Sequence, residues 1–285
     1  MPYIDRPTRR KILKWGTAAV LGGLTLESCT EPNRIQVVYK DVPIKDLPDA
    51  FVGYKIGVLS DIHWGRRIDE VFMKRAQETL MATNPDIIAV PGDFFHDARY
   101  GQPKVRFEGA LDHIDAPDGV FGVLGNHDWW NGAKYSTGQI LDHSRVQLID
   151  NKGFHIERGG SLLAFGGIGD LWEDKPDLKA AFKDVDPKTP RILLAHNPDS
   201  AEFFHGDKET RVDLQISGHT HGGEFIIPGI MDPAHRVSRF GSKFNRGLVE
   251  GRRHQVFVSK GIGRPHGVRF LAPPDVACLR LVQVV

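Results

Sequence analysis

The sequence predicts an α/β fold in which a mixed β-sheet, or a pair of sheets, carries helices on its outside. Three observations lead there. Short apolar runs alternate with segments of helical period between residues 54 and 124, and the second half is richer in strands separated by Asn and Gly turns. Five of the apolar runs end in a polar cluster of Asp, Asn, His and Gly. At 285 residues the chain is long enough for one large domain with a full core.

Taken in order, Ile35 to Tyr39 reads as an edge strand and Tyr54 to Ser60 as a buried strand delivering Asp61 and His63. Ile68, Val71, Phe72, Ala76 and Leu80 recur at helical spacing until Asn84-Pro85 stops the helix. Asp86 to Val90 is the next strand, ending in Pro91-Gly92-Asp93. Val105 to Ile114 fits a second helix, and Val120 to Leu124 a strand delivering Gly125-Asn126-His127-Asp128. Val146 to Ile149, Phe154 to Glu157 and Leu162 to Phe165 are short strands. Arg191 to Ala195 leads into His196, and Val212 to Ser217 into Gly218-His219-Thr220-His221-Gly222-Gly223. Gly247 to Glu250, Gln255 to Ser259 and Val276 to Val284 close the chain, which contains no repeat or low-complexity tract.

Composition narrows the chemistry. With 37 Lys+Arg against 36 Asp+Glu and a net charge of +1, the chain as a whole is no polyanion binder. Two cysteines, Cys29 and Cys278, are too few for a disulfide scaffold or a thiolate zinc site. Thirteen histidines, several beside Asp, Asn and Gly at strand ends, point instead to nitrogen and oxygen ligands for a metal.

Residues 1 to 34 read as a signal or anchor segment, and 35 to 285 as the folded domain. Thr8-Arg9-Arg10-Lys11 places paired arginines before the modest apolar stretch Trp15 to Leu26, a pattern that resembles a twin-arginine export signal. Leu26-Glu27-Ser28-Cys29 resembles a lipoprotein cleavage box, although Glu27 stands where a small residue is usual. Cys29 is thus either a lipid attachment point or part of a plain anchor.

The polar clusters carry the function. Side chains two apart in a strand leave on the same face, so an extended backbone lets Asp61 and His63 reach one ion together, and likewise His219 and His221. Open α/β sheets hold ligands at the carboxyl ends of strands, where these clusters lie. The pooled carboxylates, imidazoles and amide suit Mn, Fe or Zn. Any one cluster alone is most often a turn or a satisfied polar residue; together they read as a two-metal hydrolase. His96, Asp97, His113, His143, His155, His205 and His235 stand outside the ordered set and are read as surface or loop residues. No His-Glu-x-x-His helix supports a metalloprotease.

Asp-x-His, Gly-Asp, Gly-Asn-His-Asp, a lone His and Gly-His-Thr-His occur here in the order of the calcineurin-like metallophosphoesterases, which residues 50 to 284 resemble. Val258-Ser259-Lys260-Gly261-Ile262-Gly263 with Pro273-Pro274-Asp275 resembles the exported YkuE/YaeI-type phosphodiesterase branch. The resemblance implies a four-layer α/β/β/α sandwich and two divalent metal ions. One would be held by Asp61, His63, Asp93 and His221, and the other by Asp93, Asn126, His196 and His219, with Asp93 as the bridge. It further implies that His127 protonates the leaving oxygen or stabilises charge on the phosphoryl group, and that Asp128 orients His127. Glu224 departs from the Gln usual after Gly-His-Thr-His-Gly-Gly, and either faces the ions or turns away.

Residues 231 to 270 hold nine basic residues, among them Arg239, Arg246 and Arg269, against Asp232 and Glu250. They read either as a solvated basic face or as a collar that binds a phosphate-bearing substrate or anionic lipid headgroups. The expected protein is a phosphodiesterase or pyrophosphohydrolase, exported by the twin-arginine machinery to the periplasm or the outer face of the membrane. Its expected substrate is a phospholipid or lipid-linked ester, with membrane association and no specific nucleic-acid partner. A UDP-2,3-diacylglucosamine-type pyrophosphatase, a phosphomonoesterase and a non-catalytic metal-binding envelope protein are the alternatives.

Overall fold

The computed structural model describes residues 28, 30–65, 67–96, 105–203, 210–227 and 232–284. The paired arginines, the apolar stretch Trp15 to Leu26, Cys29, Asp97 and His205 lie outside them. Among the described residues, no helix is long and apolar enough to cross a membrane.

Two six-stranded mixed sheets form the centre. The first has β1 (Gln36–Ile44), β12 (Asp275–Gln283), β2 (Lys55–Val58), β3 (Ile87–Val90), β4 (Val120–Gly122) and β5 (Val146–Leu148), in that spatial order. β2 to β5 run parallel, while β12 is antiparallel to β2 and parallel to β1. The second runs β10 (Gly247–Glu250), β11 (Gln255–Val258), β9 (Leu214–Ser217), β8 (Arg191–Leu194), β7 (Ser161–Gly167) and β6 (Lys152–Arg158). There β11, β9, β8 and β7 are parallel, with an antiparallel strand at each edge.

The inner faces of the sheets share one apolar core. Ile56, Val58, Ile87 and Phe121 meet Leu163, Phe165, Ile192, Leu214 and Ile216 in a continuous cluster. Each fully buried side chain of this size contributes about 1.5–3 kcal/mol. The outer face of the first sheet is covered by α1 (Glu70–Met81) and α3 (Ala133–His143), through Phe72, Met73, Ala76, Leu80 and Ile140. Asp69 begins α1 by accepting the Phe72 amide at 2.7 Å. The short α4 (Leu178–Ala181) covers the second sheet over Ala164 and Leu193. Helix, sheet, sheet and helix therefore stack in four layers.

The helix expected over Val105 to Ile114 does not form: these residues run as turns. Phe107, Ala110, Leu111 and Ile114 are buried as a helical stripe would be, but Gly109 at φ +78° breaks any helical path between them. Residues ahead of Ile35 also pack on the domain, where the Glu31 carboxylate accepts the amides of Leu271 and Ala272 at 3.0 and 2.6 Å.

Candidate metal centre

The seven expected ligands meet at the carboxyl ends of parallel strands. β2, β3 and β4 of the first sheet lead into Asp61 and His63, Asp93, and Asn126; β8 and β9 of the second lead into His196, and into His219 and His221. All but His221 are buried, and its side chain is only 11% exposed.

The pleat does not bring them together. Asp61, His63, Asp93, His219 and His221 all have positive φ, from +48° to +71°, so the extended backbone expected through Asp-x-His and His-x-His is replaced by tight left-handed turns. Each such residue is strained by about 1–2 kcal/mol, and neighbouring loops hold it there. The Asp61 amide donates to Gly92 O at 3.1 Å and the His63 amide to Asp93 O at 3.0 Å. The His219 amide donates to Asp61 Oδ1 at 2.8 Å, tying the second sheet to the first.

The donor atoms fall into two groups that share Asp93. In one, His63 Nε2 lies 3.0 Å from His221 Nε2, which is 3.6 Å from Asp61 Oδ1. In the other, Asn126 Oδ1 lies 3.1 Å from His196 Nε2 and 2.9 Å from His219 Nδ1. Asp93 Oδ2 stands 3.4 Å from both His63 Nε2 and His196 Nε2, while Oδ1 accepts the His127 amide at 2.9 Å. His196 Nδ1 donates to Pro91 O at 2.8 Å and His219 Nε2 to Val237 O at 3.0 Å. Those carbonyls can only accept, so each ring keeps an N–H on that side and turns its other nitrogen into the cluster, where it can ligate an ion on giving up any proton it holds.

This donor set fits divalent cations. Two imidazole nitrogens at 3.0 Å cannot both donate to each other, whereas both can ligate one ion. Burial pushes Asp61 up to about 7, and it pushes His63 and His221 well below the ordinary histidine range. Burial and the charge of His196 take His219 down to about 3. Burial opposes charge on His196 too, but the carboxylates of Asp93 and Asp61 outweigh it and raise His196 to about 10.

His127 stands beside this centre, its ring edge-on to His63 at 4.6 Å and packed on Trp130 at 4.7 Å. It begins the short α2 (Asn126–Trp130) together with the candidate ligand Asn126. Asp128 does not sit as an orienting partner would. Its two oxygens accept the amides of Phe95 and Gly125 at 2.9 and 2.8 Å, so it fixes the turn that carries both Asn126 and His127. Burial and the charge of Asp93 raise Asp128 to about 8.

The basic collar is thinner than the sequence implies. Arg269 is wholly buried and donates to the carbonyls of Lys260, Gly263 and Ala272, so it holds a loop and is not an accessible substrate residue. Arg239 and Arg246 are exposed, but Arg239 lies over Phe203 and Arg246 bonds Leu271 O. Among the described residues, Arg236 lines a cavity of about 440 Å³ at the site with His219, His221 and Glu224. Glu224 pairs with His266; burial opposes its charge, but that pairing together with the charge of nearby His221 outweighs burial and holds its carboxyl below the ordinary range.

His96 was expected on the surface, yet its Nδ1 lies 3.3 Å from His63 Nδ1 and its ring stacks on His127 at 5.2 Å. His113, His155 and His235 are exposed as expected. Trp130, Trp172 and His266 also line the centre; only the three-residue separation of His96 from Asp93 hinted at any of these.

Residues 54–223 match the family described as calcineurin-like phosphoesterase. The chain belongs to that family. Its members use divalent metal ions, and the chain is a metal-dependent phosphoester hydrolase. It is 26% identical to the uncharacterized metallophosphoesterase YkuE of Bacillus subtilis, covering 98% of this chain and 99% of that one. It is 27% identical to the phosphodiesterase YaeI of Escherichia coli, with coverage of 96% and 99%. With the UDP-2,3-diacylglucosamine pyrophosphatase LpxG of Chlamydia trachomatis it shares 25% identity over 88% of this chain and 90% of that protein. The chain spans about half (48%) of a putative metallophosphoesterase of Caenorhabditis elegans to which it is 28% identical.

Proposed function

We propose that the protein is an exported phosphodiesterase or pyrophosphohydrolase with two divalent ions, Mn, Fe or Zn, acting on a lipid-linked or phospholipid ester at the cell envelope. The observation that carries the hydrolytic part is the place of Asp93 Oδ2, 3.4 Å from a histidine of each donor group. Asp61, His63, Asp93 and His221 would hold one ion, and Asp93, Asn126, His196 and His219 the other. Ions so held supply Lewis acidity and charge neutralisation for an in-line displacement at phosphorus.

The chain's own residues do the rest. His127 reaches the same cavity as Asp93, Asn126 and His219, where its ring can give a proton to the leaving oxygen. Asp128 keeps His127 and Asn126 on one turn through its bonds to Phe95 and Gly125. The larger cavity, with Phe225, Pro233, Val237 and Val268 around Arg236, suits an apolar arm close to a phosphate.

Export rests on Arg9 and Arg10 ahead of the apolar stretch Trp15 to Leu26, with Cys29 either a lipid attachment point or part of a plain anchor. The relatives named as UDP-2,3-diacylglucosamine pyrophosphatases favour a second reading in which a lipid-linked nucleotide is cleaved inside the cell. Fractionation with an antibody decides between the locations.

The catalytic test is hydrolysis of bis-p-nitrophenyl phosphate and p-nitrophenyl phosphate by metal-reconstituted protein, with His127→Ala alongside. Diester cleavage is expected to fall by about 10²–10⁴ in His127→Ala with metal retained. An unchanged rate would remove His127 from the chemistry, and binding of metal with cleavage of neither ester would favour a narrow substrate or the non-catalytic reading.

A further inference from the structure

Two tryptophans stand at the mouth of the metal centre. Trp172 is 44% exposed and sets its ring edge-on to His219 at 4.4 Å; Trp130 does the same to His127 at 4.7 Å. The indoles lie 6.4 Å apart at 37° and both line a cavity of about 240 Å³ with Asp93, Asn126 and His127. They are fixed before any ligand arrives. The buried Asp170 accepts the amides of Trp172 and Glu173, each at 2.9 Å, and Glu173 Oε1 accepts Trp130 Nε1 at 2.8 Å.

We propose that Trp130 and Trp172 form an aromatic platform that receives a flat heterocyclic ring, of the nucleobase class, on one arm of the substrate. The inference rests on the reading of the centre as a phosphodiester or pyrophosphate hydrolase. At 6.4 Å the indoles already touch, so no third ring enters between them, and they offer one continuous surface to one ring face. The remaining walls decide what kind of arm lies there. Asp93, Asn126, His96 and His127 are polar, and an acyl chain against them would strip their water without returning hydrogen bonds. A heterocycle stacks on the indoles and still presents donors and acceptors at its edge. An apolar arm is better served by the neighbouring cavity with Phe225 and Val268, which shares His219 and His221 with this one. The scissile phosphorus then sits between a ring-bearing arm and an apolar arm.

The test compares uridine 5′-monophosphate with ribose 5-phosphate, which differ only by the base, on metal-loaded full-length protein. Tryptophan fluorescence gives the affinity of each. Wild-type protein should bind the nucleotide at least about tenfold more tightly. Trp172→Ala should bring the two within about twofold at unchanged metal content, and Trp172→Phe should keep part of the preference. Equal affinities in the wild type, or a preference that survives Trp172→Ala, would overturn the platform. Bis-p-nitrophenyl phosphate hydrolysis in the same preparation separates the two ideas. A ring preference without hydrolysis keeps the platform and counts against the general diesterase reading, whereas hydrolysis without ring preference does the reverse.

Discussion

Gly125→Ala is a one-carbon perturbation aimed at Asp93, the proposed bridging carboxylate. Gly125 sits at φ −102° and ψ 176°, a conformation open to alanine, so the backbone itself costs nothing. The new Cβ, however, would lie 2.3 Å from Asp93 Oδ1 and 2.6 Å from the Asp93 amide nitrogen. It must retreat by about 0.7 Å to reach even 3.0 Å from the oxygen. The Asp93 backbone cannot yield freely, since its carbonyl accepts the His63 amide at 3.0 Å; the carboxylate must swing instead, losing the His127 amide and its place between His63 and His196. Overpacking of this kind costs about 1–3 kcal/mol, and loss of the bond to a charged acceptor about 1.5–3 kcal/mol more. With an unfolding entropy of about 0.6 kcal/mol/K for 285 residues, together they predict a Tm lower by roughly 4–10 °C, with both metal content and diester hydrolysis lost. Gly138→Ala is the matched control: it lies in α3, a Cβ there meets nothing within 4 Å, and helix propensity makes it neutral or slightly stabilising. Calorimetry, elemental analysis and the aryl diester assay on the pair check the reasoning. A Gly125→Ala protein with two bound ions and a wild-type rate would show that Asp93 is not held where the argument requires.

Three further outcomes are expected. Asp93→Asn should release both ions rather than one, because its carboxylate faces both donor groups; elemental analysis finding two ions per chain would refute the bridge. Arg269→Met should destabilise by about 3–5 kcal/mol, since the carbonyls of Lys260, Gly263 and Ala272 lose a buried donor; a urea midpoint unchanged from wild type would show that the loop stands without it. Burial lowers His254 from 6.5 to about 4, so between those values the unfolded chain binds the proton and the folded one does not. Stability from this group is therefore full above pH 6.5 and is lost as pH falls toward 4, by roughly 1–3 kcal/mol. His254→Gln should flatten that part of the urea-midpoint profile, and an identical profile would exclude the residue.

The candidate ligands are legible as a set because each closes an apolar run, and runs as strong as Ile87 to Val90 or Arg191 to Leu194 become strands wherever they fall. The sequence could not convey how the chain turns afterwards. Asp61, His63, Asp93, His219 and His221 adopt left-handed backbone because loops from both sheets enclose them, which is a tertiary cause without a local signature. α3 has no clear sequence signature for the opposite reason: Ala133 to His143 buries only Ser136 and Ile140 and has no side-chain cap, so its helical period is faint. Arg269 was read among nearby charges as part of a collar, yet three carbonyls converge on it inside the protein. Trp172 carried no pattern, being one exposed ring on a turn made by Asp170.

The division of ligands between the sheets links the core to the chemistry. Asp61, His63, Asp93 and Asn126 belong to the first sheet, and His196, His219 and His221 to the second. Each donor group takes residues from both. The distances between them are therefore set by how the inner faces pack, through Ile56, Phe121, Phe165 and Ile216, and close-packed interiors pass small displacements on rather than absorb them. Local ties reinforce that setting. The Gly263 amide donates to Asp61 O at 2.7 Å and the Ile262 amide to Ser60 O at 3.0 Å, so the loop after β11 of the second sheet grips the strand end of the first. A Cβ on Gly263 would lie 2.4 Å from Asp61 O, which explains a glycine at that step of the tail segment. Cations bound across the two groups would join the sheets as well as serve the reaction, and substitutions deep between the sheets should be felt in metal affinity before they are felt in the fold.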